Sequence, residues 1–190
     1  MPVRALGWLA VLGLVAGIVA AFGYAPREVM QGNVQRIMYL HVPAVLTAYL
    51  AFALVFIGSV GYLLTRRAGW DRLALAAAEP GVIFTGITIA SGSIWGKPTW
   101  GTWWTWDARL TSTAVLFLVY VGYLLLRGMI DEPDRRALHQ PATILGPEPS
   151  PIAAPIALTL FVNWLAFTLL FLYLLAKRTE IARLEERHAE

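Results

Sequence analysis

Residues 37–65, IMYLHVPAVLTAYLAFALVFIGSVGYLLT, form the longest stretch of the chain without Lys, Arg, Asp or Glu, and they lie between Arg36 and Arg66. About 20 apolar residues in a helix span the hydrocarbon core of a bilayer. A charged side chain at its centre costs about 2.5–3.5 kcal/mol on insertion scales. The stretch does not alternate apolar and polar residues as a barrel strand does, so it predicts a transmembrane helix.

Four further uncharged windows are long enough to cross a bilayer. With a helix start at Pro43 in the second window, the predicted spans are about 5–26, 43–65, 80–96, 110–126 and 152–176. The fold class is therefore an all-α polytopic membrane protein, a helical bundle with five spans. Residues 1–176 form one transmembrane domain and 177–190 a charged tail. We expect the first span to be a retained anchor, because Pro26 follows its only candidate cleavage site.

Composition excludes several classes of protein. The 190 residues are 58% hydrophobic and 14% charged, with mean hydropathy +0.62, which argues against a disordered chain, a soluble enzyme and a nucleic-acid module. The absence of cysteine excludes disulfides and thiolate metal sites. The basic excess is explained by Lys and Arg in short loops, as the positive-inside rule expects.

That rule exposes a conflict in the topology. With the N-terminus in the cytoplasm, seven basic residues before residue 137 lie inside and four outside. Five spans then place the four basic residues of the tail outside, whereas a sixth crossing after Arg136 would return the tail to the cytoplasm. Residues 137–147 are too short, and too rich in Pro and Gly, to supply it.

A tryptophan-rich segment follows the third predicted span. Five of the eight tryptophans fall within twelve residues, in a predicted outer loop over 95–109 interrupted by Gly96, Pro98 and Gly101. Two interpretations are open: an interfacial aromatic belt, or a flat platform for a large planar apolar ligand. The candidate platform residues are Trp95, Trp100, Trp103, Trp104 and Trp106.

Two charged residues close this segment, and each has two possible roles. Asp107 precedes the fourth span and suits an N-cap. Arg109 can pair with Asp107 or snorkel toward the interface. Alternatively, the two belong to the ligand site, where a guanidinium would hold an acidic substituent such as a propionate.

Two of the three histidines lie beside prolines in uncharged segments. His41 precedes Pro43 and is predicted at or just before the start of the second helix, where the helix dipole favours the neutral, metal-ligating imidazole. His139 lies in Leu138-His139-Gln140-Pro141. Each could be an ordinary interfacial histidine, but together they allow bis-imidazole ligation of haem iron. His188 lies in the polar tail.

Together these segments resemble the tryptophan-rich (WWD) haem-handling family of cytochrome c maturation, and in particular its haem exporter protein C (CcmC) branch. Residues 95–112 are similar to the family signature almost throughout, and the segments around His41 and His139 resemble its two histidine motifs. The resemblance covers roughly residues 1–176. It implies haem b, transiently bound at the outer membrane face, with His41 and His139 as axial ligands.

The resemblance also implies a cellular setting. Such a protein lies in the bacterial inner membrane and presents haem to a periplasmic haem chaperone (CcmE). Its other partners would be ABC transporter subunits (CcmA, CcmB), a small membrane protein (CcmD) and the lipid bilayer. It would be a haem-transfer protein that carries out no turnover chemistry of its own.

The family has six spans, and the one before the second histidine is missing here, where Arg136-Ala137 runs directly into Leu138-His139. Either the chain is naturally shortened, or about 20–30 residues, enough for one crossing, are absent near 137–138; we favour the second explanation. Without that crossing, His139 would start from the cytoplasmic side.

Three other functions are compatible with parts of the pattern. A b-type cytochrome electron carrier would place its histidines within spans. A permease subunit for haem or lipid would be expected to carry intramembrane charges, which the windows lack. A structural assembly subunit would use the tryptophan cluster for docking.

Overall fold

The computed structural model describes residues 3–129 and 154–189, and this part of the chain is helical throughout, apart from short turns and loops. A single π-helical turn, Ala20–Tyr24, extends the first helix, and a 3-10 turn, Val34–Ile37, leads into the second. The five α-helices are α1 (Val3–Val19), α2 (Met38–Thr65), α3 (Ala68–Trp100), α4 (Ala108–Met129) and α5 (Ala154–Ala189).

All five helices contain a segment long and apolar enough to cross a membrane, as the uncharged windows predict. Two of the helices extend beyond the predicted spans. The third helix covers 68–100, where a span over 80–96 is predicted, and α5 continues from the last span through the charged tail to Ala189. The extension of α3 includes Asp71 and Glu79, whose carboxylates pair with arginines of neighbouring helices.

Helices α2 and α3 form a closely packed antiparallel hairpin. The chain reverses at Arg66, which adopts the left-handed conformation (φ 54°), and α3 starts two residues later. Gly58 lies so close to α3 that a Cβ there would be 3.0 Å from the carbonyl oxygen of Trp70. Small residues allow such backbone approach in membrane bundles, where packing contributes much of the association energy. The alanines buried in this core are Ala44, Ala48, Ala51, Ala77 and Ala78.

Helices α4 and α5 pack against this hairpin, and α1 packs against α5. Helix α5 contacts α1 through glycines, and the buried amide of Asn163 donates a hydrogen bond to the Gly17 carbonyl oxygen at 3.2 Å. Helix α4 lies against the hairpin, with the Tyr120 ring stacked on Phe52 at 4.0 Å between centroids. Because α3 runs antiparallel to α2, the α3–α4 connection, residues 101–107, lies at the same end of the bundle as the start of α2.

Two ion pairs hold the opposite end, where α3 begins. The buried guanidinium of Arg127 contacts the Asp71 carboxylate and also donates to the Tyr123 hydroxyl at 2.8 Å. Arg178 of α5 pairs with Glu79 at 2.8 Å. These contacts tie both α4 and α5 to α3.

Removal of the Asp71 carboxylate should be more destabilising than removal of the Glu79 carboxylate. Asp71→Asn leaves the Arg127 guanidinium, 5% exposed, without its counter-charge, which typically costs about 3–5 kcal/mol. Glu79→Gln breaks a pair whose side chains are 26% and 36% exposed, for which about 1 kcal/mol or less is expected. Unfolding in detergent measures both, and equal losses of stability would contradict this ranking.

Candidate functional site

His41 is the fourth residue of α2, and the helix begins about one turn earlier than the sequence predicts. The 3-10 turn Val34–Ile37 passes directly into α2, so Pro43 occupies an interior position rather than the first turn. The imidazole nevertheless lies near the N-terminal end of the span, as expected.

Three residues on one face of α3 surround the His41 ring. The Nδ1 atom lies 3.1 Å from the Ser91 hydroxyl oxygen. The Trp95 ring meets the imidazole edge-on, with centroids 5.8 Å apart and planes at 61°. A Cβ on Gly92 would come within 2.9 Å of the ring atom Cε1, so the absence of a side chain there makes room for the imidazole.

The tryptophan-rich segment is only partly a loop. Helix α3 continues through Gly96 and Pro98 to Trp100, so the predicted loop over 95–109 shortens to 101–107. Gly101 ends the helix with φ +79°, and its N–H donates to the Lys97 carbonyl oxygen at 3.0 Å. The Lys97 ammonium in turn donates to the Gly101 carbonyl oxygen at 2.9 Å. A left-handed glycine that closes a helix in this way is a common C-cap, whereas the sequence pattern predicts only a break at Gly101.

The paired indoles of this segment are inclined to one another and do not lie in one plane. Trp95 and Trp100 lie 6.3 Å apart with planes inclined by 39°, and Trp104 and Trp106 lie 5.9 Å apart at 76°. Three of the rings are largely exposed along the edge of the bundle: Trp106 is 82% exposed, Trp100 60% and Trp103 57%. We call the five indoles, Trp95, Trp100, Trp103, Trp104 and Trp106, the tryptophan rim.

One buried nitrogen of this rim is unsatisfied among the residues that the structure describes. The indole nitrogen of Trp104 is buried and makes no hydrogen bond within the part of the chain that the structure describes. A buried donor without an acceptor is costly, so an acceptor that reached this N–H would gain a favourable hydrogen bond.

The connection between α1 and α2 also reaches the rim. The Gln31 side-chain oxygen accepts a hydrogen bond from the Trp95 indole N–H at 2.9 Å. The carboxylate of Glu28 accepts the N–H groups of Met30 and Gln31, which holds this turn in shape. Sequence reasoning missed both Gln31 and Ser91, because a single polar residue in a loop or span carries no signal until its tertiary neighbour is known.

Asp107 is the N-cap of α4, one of the two predicted roles. Its carboxylate accepts the Leu110 N–H at 2.9 Å and the Thr105 hydroxyl at 2.8 Å. These two hydrogen bonds, the first above all, lower the pKa of the Asp107 carboxyl. The guanidinium of Arg109 lies near enough to interact electrostatically with both Asp107 and His41.

His139 lies outside the described residues, as does the side chain of His188. The structure therefore places Trp95 against His41, with Trp100 beside Trp95, and it leaves His139 as a sequence prediction.

The family model described as Heme exporter protein C matches residues 2–137, which include His41 and the entire tryptophan rim. The chain belongs to the Heme exporter protein C family. Relatives with that name include a protein of Bradyrhizobium diazoefficiens, 35% identical across 96% of this chain and 81% of its own length. Another, from Escherichia coli K12, is 45% identical across 73% of this chain and 57% of its own length. A third, from Haemophilus influenzae, is 32% identical across 97% of this chain and 85% of its own length.

The long alignments contain gaps in this chain. The alignment with the Bradyrhizobium protein extends over 213 residues, which is 23 more than the 190 residues of this chain, so gaps in this chain account for at least that difference. The match to the family model ends at residue 137, where the sequence analysis expects a crossing to be missing.

Asp107→Ala should loosen the first turn of α4 and leave the rest of the bundle intact. The Leu110 amide would lose its acceptor, so its hydrogen exchange should become faster than in the wild type. Asp107→Asn is the matched control, because asparagine is an equally good cap.

The Asp107 cap of the wild type and the cap in the Asp107→Asn variant should differ in their response to pH. Because the pKa of Asp107 lies below the ordinary 3.8, its ionised cap should persist at and above that pH and be lost as the pH falls through the lower value in the folded protein. Asp107→Asn should be insensitive over this range. Unchanged exchange at Leu110 in Asp107→Ala would contradict the capping role.

Proposed function

We propose that this chain is a membrane haem-handling protein of c-type cytochrome biogenesis, which binds haem at the outer face of the membrane and presents it to a periplasmic haem chaperone. The observation that carries the proposal is the position of His41, a single imidazole held by α3 beside a rim of exposed indoles. Membership of the Heme exporter protein C family supports haem as the ligand.

The residues of the site fit the chemistry of haem. Neutral imidazole is a common ligand of haem iron. The exposed faces of Trp100, Trp103 and Trp106 offer apolar area to a porphyrin, and burial of this area contributes affinity. Arg109 would pair with a propionate, and the unpartnered Trp104 N–H would donate to a polar group at the porphyrin edge. Lys97, which caps Gly101, lies close to the same surface.

The site suits transient binding rather than permanent retention. Three of the five indoles of the rim, Trp100, Trp103 and Trp106, are exposed. Haem b held by axial imidazole and by indole contacts would be released when the axial bond breaks. The chain would therefore transfer haem and not act as an enzyme.

We infer that His139 is the second axial ligand, reached through a sixth crossing that this chain lacks. The gaps in the long alignments and the end of the family match at residue 137 support an absence of about one crossing there. With the crossing restored, the tail would face the cytoplasm and His139 would lie on the same side as the rim, consistent with the positive-inside rule.

The proposed setting follows from the family. The protein would lie in the bacterial inner membrane with the tryptophan rim toward the periplasm. It would act with the chaperone (CcmE), the ABC transporter subunits (CcmA, CcmB) and the small membrane protein (CcmD).

His41→Ala should lose haem or change its absorption spectrum in protein purified from haem-replete cells, because the iron would lose an axial nitrogen. His188→Ala is the matched control, a histidine of the tail that is given no role. Unchanged haem content and spectrum in His41→Ala would exclude ligation by this residue.

Trp103→Ala and Trp106→Ala should each weaken haem retention, while Trp8→Ala should not. Trp8 is 70% exposed but lies near the start of α1, at the end of the bundle opposite the rim. Burial of part of an indole against a porphyrin contributes about 1–2 kcal/mol, so the dissociation rate of haem should rise about tenfold. Equal rates in all three variants would show that the rim does not contact haem.

A further inference from the structure

The hydroxyl of Ser91 is committed to its own helix. Ser91 is 4% exposed, and its oxygen lies 2.6 Å from the Ile87 carbonyl oxygen and 3.3 Å from that of Thr88. Carbonyl oxygens only accept hydrogen bonds, and a serine hydroxyl carries one proton. The Ser91 proton therefore points to the backbone of α3, and its oxygen is left as an acceptor on the side that faces His41.

This arrangement determines which nitrogen of His41 carries the proton. A neutral imidazole has one N–H donor and one lone-pair nitrogen. Nδ1 lies 3.1 Å from the Ser91 oxygen, so it must be the donor if the contact is a hydrogen bond. The proton therefore lies on Nδ1, and Nε2 keeps the lone pair.

The same face of α3 limits how the ring can turn. Gly92 leaves room for Cε1, and the Trp95 ring packs against the imidazole edge. Trp95 is itself held by its hydrogen bond to Gln31. Two contacts with α3 therefore position the imidazole: the hydrogen bond to Ser91 and the edge-on contact with Trp95.

We propose that Ser91 is a positioning residue, which holds His41 in the Nδ1-protonated form and so presents Nε2 as the ligand atom for haem iron. The inference rests on the proposed function for its ligand, although the tautomer itself is a property of the haem-free protein. Hydrogen bonding at the non-ligating nitrogen of a metal-bound histidine fixes its orientation and raises its basicity.

The tautomer can be measured without haem, by ¹⁵N NMR of protein labelled at histidine, with His41→Ala to assign the signals. The wild type should show a protonated Nδ1 and a lone-pair Nε2 at His41. Ser91→Ala should shift the population toward the Nε2-protonated form, because the acceptor at Nδ1 is gone. Ser91→Thr keeps a hydroxyl at this position and should retain the wild-type tautomer. An unchanged tautomer in Ser91→Ala would overturn the proposal.

Experiments with hemin-loaded protein test whether Ser91 affects haem binding. Ser91→Ala should weaken haem retention about tenfold. It should also raise the reduction potential of the bound haem, because a less basic imidazole stabilises ferric iron less. Ser91→Thr should restore both values. A shifted tautomer with unchanged retention and potential would overturn the positioning role.

The two proposals fail in different ways. If wild-type protein has the Nδ1-protonated tautomer, dependent on Ser91, but takes up no hemin, the proposed function is overturned and the tautomer assignment is supported. If it takes up hemin with a spectrum that depends on His41 but not on Ser91, the proposed function is supported and the role of Ser91 is overturned.

Discussion

The close approach of α2 and α3 is the constraint on which the rest of the structure depends. Glycine and alanine along the contact let the two backbones come together, as at Gly58 against Trp70. Near the far end of the same hairpin, this packing places His41 within hydrogen-bond distance of Ser91, fifty residues later in the chain. A wider helix spacing would separate the imidazole from Ser91 and Trp95 together, so the proposed ligand geometry is a consequence of small residues in the core of the hairpin.

The two ends of the bundle use polar groups differently. At the end where α3 begins, each carboxylate of the two ion pairs meets an arginine, and the charges are satisfied within the protein. At the rim end, the Trp104 N–H has no partner among the described residues and large indoles remain exposed. One end is suited to hold the helices together, whereas the other has binding capacity left for a ligand.

Sequence alone predicts the number of described spans well, because the cost of burying charge leaves clear uncharged windows. It does not reveal the full length of α3, because Glu79 bounds the uncharged window, whereas in the structure Glu79 and Asp71 both lie within the helix and pair with arginines distant in the chain. The sequence also predicts that Gly96 and Pro98 interrupt regular structure, whereas α3 continues past both. The cap at Asp107 is local and was predictable, whereas the contacts of Ser91 and Gln31 depend on tertiary packing that no periodicity reveals.

The central claim is that the imidazole of His41 binds haem iron beside the tryptophan rim. Electron–nuclear double resonance of ferric, hemin-loaded protein labelled with ¹⁵N only at histidine tests it most directly. The account predicts a coupling from an imidazole nitrogen to the iron, which is absent or altered in His41→Ala and intact in His188→Ala. A protein that stays colourless with hemin, or one whose histidine coupling is the same with and without His41, would contradict it.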